Sequence, residues 1–481
     1  MIPVDRRSAR PLYRQLYDGY REAILERRLR PGQRLPSTRA LAAELGISRI
    51  PVLQAFDQLL AEGYCESRPG SGTFVSGSLP DPRPVAVPRA ATPEAPRGGA
   101  VAGRSGLLLG REPEPWLDGR GAFRMSQPAV DLFPFKVWSQ LVNRHAREPF
   151  AHLLQYGEPM GHAPFREAIA AYLRTSRAVR CEASQILVVS GSQQALDLTA
   201  RVLLDPGSRV WVEEPGYGGA RDALTMAGAR LVPVPVDGEG LDVAAGIALC
   251  KRARAAYVTP SHQYPMGATL SASRRLQLLS WAERAGAFLI EDDYDSEYRY
   301  DSPPIASLQG LDRSARVIYI GTFSKVLFPA LRLGYLVVPE DLVDRFASVR
   351  DAMDIFPPTF PQAVLTDFLT EGHFTRHIRR MRLVYRERRE ALVDALRSEL
   401  SEVLDVQGGE AGMHLVATFR KDLRDRPIAL RAARKGLWTT PLSSCHHGNA
   451  TRQGLVLGYG GTDVAGIREG VRRLRAVIRS T

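Results

Sequence analysis

Long apolar runs are missing from this 481-residue chain: no stretch approaches the roughly 18 to 20 uninterrupted apolar residues that a membrane helix needs. Its first residues, MIPVDRRSARPLYRQL, lack the apolar core of a secretory signal, so the chain is expected to stay in the cytoplasm. Cysteine is scarce as well. The four present, Cys65, Cys181, Cys250 and Cys445, are too dispersed for a disulfide framework or a paired-cysteine metal knuckle, which fits a reducing compartment. Lysine occurs only at Lys136, Lys251, Lys325, Lys421 and Lys435, so arginine carries nearly all the positive charge and any lysine in an unusual setting invites inspection. What remains is ordinary: 44% hydrophobic and 24% charged residues exclude wholesale disorder and collagen-like or coiled-coil composition. The formal net charge of +12 favours a polyanionic partner, nucleic acid first among them.

The length predicts two to four domains at roughly 100 to 200 residues each. Composition changes at residues 78–120, which carry prolines at 80, 82, 84, 88, 93, 96, 113 and 115 and few large apolar side chains. Such a segment cannot repay the entropy of ordering and reads as an extended linker between residues 1–77 and 121–481. No internal repeat of fixed period is present. In the larger part, short Val/Ile-rich runs (QILVVSG, SRVWVEEPGY, AAYVTPSHQYP, AFLIEDDYDSE, ARVIYIGTFSK, LRLGYLVVP) alternate with helix-length segments. That alternation predicts an α/β fold with a mostly parallel sheet buried on both faces. From about Pro361 the pattern turns to long Arg/Glu-rich helices, the short strands MHLVATF and GLVLGY, and a last helix, which predicts a small α+β C-terminal subdomain.

In the N-terminal part, Leu12, Leu16, Tyr20 and Ile24 mark a first helix over PLYRQLYDGYREAILERRL that Arg30-Pro31-Gly32 would end. Ser37 is positioned to cap a second helix running to Gly46, and Ser48 a third over RIPVLQAFDQLLAEG, with Pro51 tolerable in its first turn. Helix, short glycine turn, helix is the spacing of a helix-turn-helix, and two short strands around Pro69-Gly70-Ser71 would form a wing carrying Arg68. On pattern alone, a three-helix interaction module reads the same way. The stretch LRPGQRLPSTRALAAELGISRIPVLQAFDQLLAEGYCESRPGSGTFV, however, resembles the winged helix-turn-helix of GntR-type regulators over almost the whole piece. The resemblance implies binding to double-stranded DNA through Arg34, Ser37, Arg39, Ser48, Arg49, Arg68 and Gly70.

In the larger part, Lys325 sits among apolar residues directly after the strand ARVIYIGT. A lysine there is costly unless paired, neutral or covalently engaged, and one way to engage it is a Schiff base with pyridoxal phosphate. Alone it would read as an ordinary lysine reaching for solvent; four further features change that. Asp292 ends the strand FLIEDD and could keep a pyridine nitrogen protonated. The turn Ser190-Gly191-Ser192, between a strand and a helix, offers N–H groups and hydroxyls to a phosphate. Ser324 and Arg332 flank the lysine and could complete that cradle. Tyr217, after the strand RVWVEE, could stack on a ring.

In this order and spacing the four resemble a fold type I aminotransferase domain, and SHQYPMG, EDDYDSEY and GTFSKVLFPALRLGY behind a GntR-like domain and linker are similar to MocR/GabR-type regulators. By that resemblance Lys325 is the Schiff-base lysine, Asp292 its pyridine partner and Tyr294 a phenol near the ring oxygen. Ser192, Gln193, Ser324 and Arg332 are then phosphate ligands. Tyr264 stands where aspartate-type aminotransferases carry an Asn hydrogen-bonded to the phenolic oxygen. Arg452, before GLVLGYG, is the candidate for an effector carboxylate. Gly218, Gly219 and Ala220 precede Arg221, where some relatives place an arginine that reads an effector acid, so no GABA-like effector is implied. Cys445-His446-His447 has no second Cys/His cluster and reads as a plain loop, with no metal site expected. The resemblance implies a nucleoid-associated, head-to-tail homodimer that binds operator DNA and senses an amine, an amino acid or pyridoxal phosphate itself. The competing class is an active aminotransferase with a DNA-binding appendage.

Overall fold

A computed structural model describes residues 2–77, 106, 114–119, 121–147, 153, 155–300, 305–420 and 422–480. The chain forms two compact units, Met1–Ala100 and Val101–Thr481. Most of the expected linker, 78–105 and 107–113, lies outside the described residues. Near its end, Pro115–Asp118 is a helical turn whose Trp116 is buried in the core of the larger unit.

The first unit contains α1 (Leu12–Leu25), α2 (Thr38–Leu45), α3 (Arg49–Ala61) and an antiparallel pair, β1 (Cys65–Arg68) and β2 (Gly72–Val75). Leu16, Tyr20 and Ile24 of α1 meet Val52, Phe56 and Leu59 of α3, and burying each large side chain contributes roughly 1.5–3 kcal/mol. The first helix matches its apolar spacing but stops before the expected break at Arg30-Pro31-Gly32. Arg27 turns left-handed (φ 59°) and the Leu29 N–H returns to the Ala23 carbonyl at 3.0 Å, closing the helix before Pro31 is reached. Ser37 caps α2 as expected, its Oγ accepting from the Ala40 N–H at 3.1 Å, and Gly46 (φ 61°) ends it. Ser48 occupies the cap position of α3, but its hydroxyl makes no cap hydrogen bond. The third helical residue is Pro51, which has no N–H to give.

The larger unit is built on an eight-stranded sheet. Its strands are β3 (Ile186–Val189), β4 (Arg209–Glu214), β5 (Arg230–Asp237), β6 (Gly240–Leu241), β7 (Ala255–Val258), β8 (Phe288–Asp293), β9 (Val317–Thr322) and β10 (Gly334–Val337), in the order β3-β10-β9-β8-β7-β4-β5-β6. Strands β5, β4, β7, β8 and β9 run parallel; β10 is antiparallel to both its neighbours, and β6 to β5. Both faces are covered. Ala255 and Tyr257 of β7 join one apolar cluster and Ala256 and Val258 the other, which explains why the strands read as continuous apolar runs.

A second, antiparallel sheet, β11 (Leu404–Gln407), β12 (His414–Phe419), β13 (Thr440–Pro441) and β14 (Gly454–Gly458), has the order β11-β12-β14-β13. Leu415, Ala417, Leu455 and Leu457 pack into the main core with the closing helix Val464–Arg479. On the opposite face, Val416 and Val456 meet Met125, Met266, Leu442 and Tyr264. The buried Asp425 carboxylate ties the subdomain together, accepting from Ser443 N, Ser443 Oγ and Gly454 N.

Candidate functional site

The carboxyl ends of β3, β4, β7, β8 and β9 lie along one edge of the large sheet, where α/β folds bind ligands. Because β10 runs the opposite way, the residues that precede it, Arg332 included, reach the same edge.

Gly191 follows β3 with φ 96°, a left-handed conformation that favours glycine, and opens the helix Ser192–Leu203. A Cβ there would stand 3.3 Å from Arg332 Nη2, and Arg332 donates to the Ser190 carbonyl. Arg332 is itself left-handed (φ 51°), which turns its side chain back towards this turn. Ser324 Oγ is buried and has no hydrogen-bond partner among the described residues. Gln193, by contrast, donates to the Gly219 carbonyl at 2.8 Å, so its amide faces the turn after β4. Ser190, Gly191, Ser192 and Arg332 thus come together around one helix N-terminus, an arrangement suited to an anion.

Asp292 lies at the end of β8. Its Oδ2 accepts from Tyr257 OH at 2.9 Å, while Oδ1 is buried with no partner among the described residues. Burial, above all, pushes this carboxyl up to about 7. Lys325 feels Asp292 and Asp295, yet desolvation outweighs both acids and brings its amine down to about 8. Tyr217 stands edge-on to Tyr264 with ring centres 5.8 Å apart, and Tyr264 edge-on to Tyr294 at 6.4 Å, so the three phenols line the same recess. Burial raises all three phenols, Tyr217 to about 12 and the others well above their ordinary value.

Several members of the site carry no signal in the sequence. Tyr257 reaches Asp292 only because β7 pairs with β8. His262, inside SHQYPMG, places Nδ1 3.0 Å from Asp295 Oδ1 and 3.1 Å from Tyr294 OH, and Tyr294 donates to the His262 carbonyl at 3.0 Å. His414 stacks obliquely on His262 at 4.7 Å and contacts the Pro265 carbonyl. Ligand atoms of His262, Asp295 and His414 lie within 4.8 Å of one another, a grouping with the donor types of a metal site; His262 Nδ1 and His414 Nε2 are hydrogen-bonded, while His262 Nε2 is buried with no partner among the described residues. Glu213 accepts from Thr259 and Gln263 and is pushed up to about 7 by burial.

Two expected features sit elsewhere. Arg452 is exposed in the turn ahead of β14 and is not among the residues brought together. Strand β14 comes closest to the site at its other end, where Gly458 pairs with His414, and its residue against Tyr264 is the apolar Val456. In the Cys445-His446-His447 loop, His446 Nδ1 lies 2.7 Å from Glu214 Oε1 and Cys445 takes the Gly216 N–H, so the loop braces the turn after β4.

In the first unit Arg34, Ser37, Arg39, Ser48, Arg49, Arg68 and Gly70 are all exposed. Arg49 donates to Thr38 Oγ1 at 3.0 Å across the helix-turn-helix, and Arg68 lies over the Phe74 ring while pairing with Glu66.

Residues 125–458 match the family described as aminotransferase class I and II, and residues 12–75 match the bacterial regulatory proteins of the GntR family. The chain is 42% identical to the probable rhizopine catabolism regulatory protein MocR of Rhizobium meliloti, over 99% of this chain and 95% of that one. It is 33% identical to the HTH-type pyridoxine biosynthesis transcriptional regulator PdxR of Corynebacterium glutamicum, over 93% and 92%. Among solved structures it is similar to LysN, the α-aminoadipate aminotransferase of Thermus thermophilus, complexed with N-(5'-phosphopyridoxyl)-L-leucine. That likeness has a TM-score of 0.73 at 31% identity and covers 79% of this chain and 97% of that one.

Proposed function

The chain belongs to the MocR-type regulators, in which a GntR-family DNA-binding domain precedes an aminotransferase class I and II domain, and from that premise we propose that its larger unit senses an amine or amino acid through bound pyridoxal phosphate. We place the domains at 1–77 and 121–481, joined by 78–120.

The residues present fit this cofactor. Asp292 Oδ1 and Ser324 Oγ are buried acceptor and donor groups lacking partners among the described residues, and Gly191 leaves a cradle that a Cβ would fill. When bound, pyridoxal phosphate supplies an aldehyde carbon that condenses reversibly with primary amines and a ring that draws electrons when its nitrogen is protonated. Lys325 would hold it covalently and Asp292 would keep the proton on the ring nitrogen. The 190–193 turn, Ser324 and Arg332 would take the phosphate; Tyr217, Tyr264 and Tyr294 would face the ring and its phenolic oxygen. The observation that carries the reading is Lys325 within the field of Asp292: a buried amine brought down to about 8, facing a carboxyl group with an unused oxygen.

An amine effector competes with Lys325 for its place, and the displaced side chain and new ligand shift the balance between domain arrangements, hence the DNA heads. The reading includes a cytoplasmic head-to-tail homodimer, with Arg34, Ser37, Arg39, Ser48, Arg49, Arg68 and Gly70 as DNA contacts. Since the relative named for pyridoxine biosynthesis shares this architecture, the cofactor itself is the second candidate effector, and its test is whether it alone changes DNA affinity. Likeness to a solved aminotransferase favours a further reading, catalysis with a DNA-binding appendage. Steady turnover with an amino acid and a 2-oxo acid, unaffected by Arg49→Ala, would establish that reading.

The deciding experiment is the visible spectrum of the full chain with and without borohydride, beside Lys325→Ala. A reducible band in the wild type that the variant lacks is expected. A chain that stays colourless with added pyridoxal phosphate overturns the sensing mechanism and leaves DNA binding standing.

A further inference from the structure

Helix α3 turns one line of side chains inward and another outward. Val52, Ala55, Phe56 and Leu59 are buried in the core of the first unit. At about 100° per residue, Ile50, Gln54 and Asp57 fall on the opposite side, and all three are exposed. Ile50 is the exception in chemistry: it is 64% exposed at the second position of the helix. An apolar side chain standing in water contributes nothing to burial, and a β-branched one is a weaker helix former than Ala, Leu, Arg or Glu, so folding does not account for it. Its place in the motif does. The second member of a helix-turn-helix sets its N-terminal residues on base edges in the major groove, where the C5-methyl of thymine is the apolar feature on offer.

The neighbours of Ile50 suit a base-reading helix end. Arg49 is exposed, with its Nε donating to Thr38 Oγ1 at 3.0 Å, and Arg39 is exposed on α2, so guanidinium groups for the flanking phosphates stand on either side of the turn. Gln54, one turn beyond Ile50 on the same face, carries an amide that can pair with adenine N6 and N7. Asp57, nearly a turn further, would be repelled by phosphates, which limits close approach to the first two turns of α3.

We propose, on the DNA-binding reading above, that α3 reads A·T pairs: Ile50 packs on the methyl group of a thymine in the major groove, and Gln54 takes a neighbouring adenine. Ile50 can neither donate nor accept a hydrogen bond through its side chain, so its preference rests on the methyl group alone. Cytosine at that place would present an amino group to an apolar side chain and leave it unpaired.

The full chain is used to select duplexes from a random pool, and each thymine of the selected sequence is then replaced in turn by deoxyuridine, which lacks the methyl group and keeps every hydrogen-bonding group. Replacement at one thymine should weaken binding about fourfold, the worth of one buried methyl-sized group. Ile50→Ala should bind the unmodified duplex at least that much more weakly, without a lower melting temperature, and make no distinction between thymine and deoxyuridine at that position. Gln54→Ala should likewise lose the wild-type response to 7-deazaadenine, which lacks N7, at the neighbouring adenine. Deoxyuridine tolerated at every position, or a thymine preference that survives Ile50→Ala, would overturn the assignment of Ile50 and leave DNA binding standing. A response to 7-deazaadenine that survives Gln54→Ala would overturn the assignment of Gln54. A chain that selects no duplex even at low salt would overturn the DNA-binding reading itself, and the base assignments with it.

Discussion

In the cofactor-free chain, the Lys325 amine should react at neutral pH as few lysines can. Burial brings it from an ordinary 10.5 to about 8 even though Asp295 and Asp292 both pull the other way. At pH 7 the neutral, nucleophilic fraction is about one in ten, against about one in three thousand for an unperturbed lysine, a gain of roughly 300-fold. The perturbation is a pH series from 6 to 10, run on wild type and Asp295→Asn. The assay is the rate at which the cofactor's visible band appears after stopped-flow mixing with pyridoxal phosphate, followed across the series and compared at pH 7 with the rate for a free lysine derivative. In wild type the rate should climb through a midpoint near 8. Asp295 is the larger of the two charges favouring the ammonium form, so Asp295→Asn should move the midpoint lower and raise the relative rate at pH 7. A midpoint near 10, or one that rises in Asp295→Asn, would refute the argument that desolvation dominates here.

Asp425→Ala strands the Ser443 and Gly454 N–H groups inside the C-terminal subdomain and should cost on the order of 3 kcal/mol, read as a lower urea midpoint. Stability of the cofactor-free chain should rise as pH falls from about 7.5, whereas nearer pH 8 Lys325, lowered to about 8, holds fewer protons than an unfolded lysine and offsets the gain. Glu213, Glu291, Asp292 and Glu297 are each raised to about 7, so the folded state takes up protons that the unfolded carboxylates, with pKa near 4, do not. His377 (about 4) and His414 (about 3) resist protonation in the fold and subtract from this gain, but two histidines against four acids reduce the rise without ending it until the unfolded carboxylates themselves begin to protonate; scanning fluorimetry across the series checks this. Arg49→Ala and Arg68→Ala should each weaken DNA binding across sequences and lower the salt slope by about 1, measured by fluorescence anisotropy.

What could be read from the sequence was whatever acts locally. Ser37 and Gly46 give α2 within ten residues, and the apolar runs give the strands of the large sheet because both faces are buried. Lys325 and Asp292 stood out because charged groups at the ends of apolar strands are expensive. Features needing two distant segments were not legible. Tyr257 meets Asp292 through strand pairing, His262 meets Asp295 and Tyr294 through the packing of two loops, and Arg177 meets Asp293 from 116 residues away. The end of α1 was misjudged because a left-handed Arg27 leaves no compositional mark, and the silent Ser48 cap follows from a proline three residues on.

Among the described residues strand β3 has one neighbour, and that neighbour is β10. During synthesis Ser190 and Gly191 therefore emerge from the ribosome long before anything exists to fasten them: the strand they terminate stays an unclaimed flap until Val337 has been made. The pocket's two halves are born far apart in time. A nascent chain released before β10 would carry Lys325 and Asp292 but no anchored Gly191 turn, and its apolar Ile186–Val189 segment would be open to other chains. Translation pausing or early termination in this interval thus threatens aggregation more than loss of any single contact would.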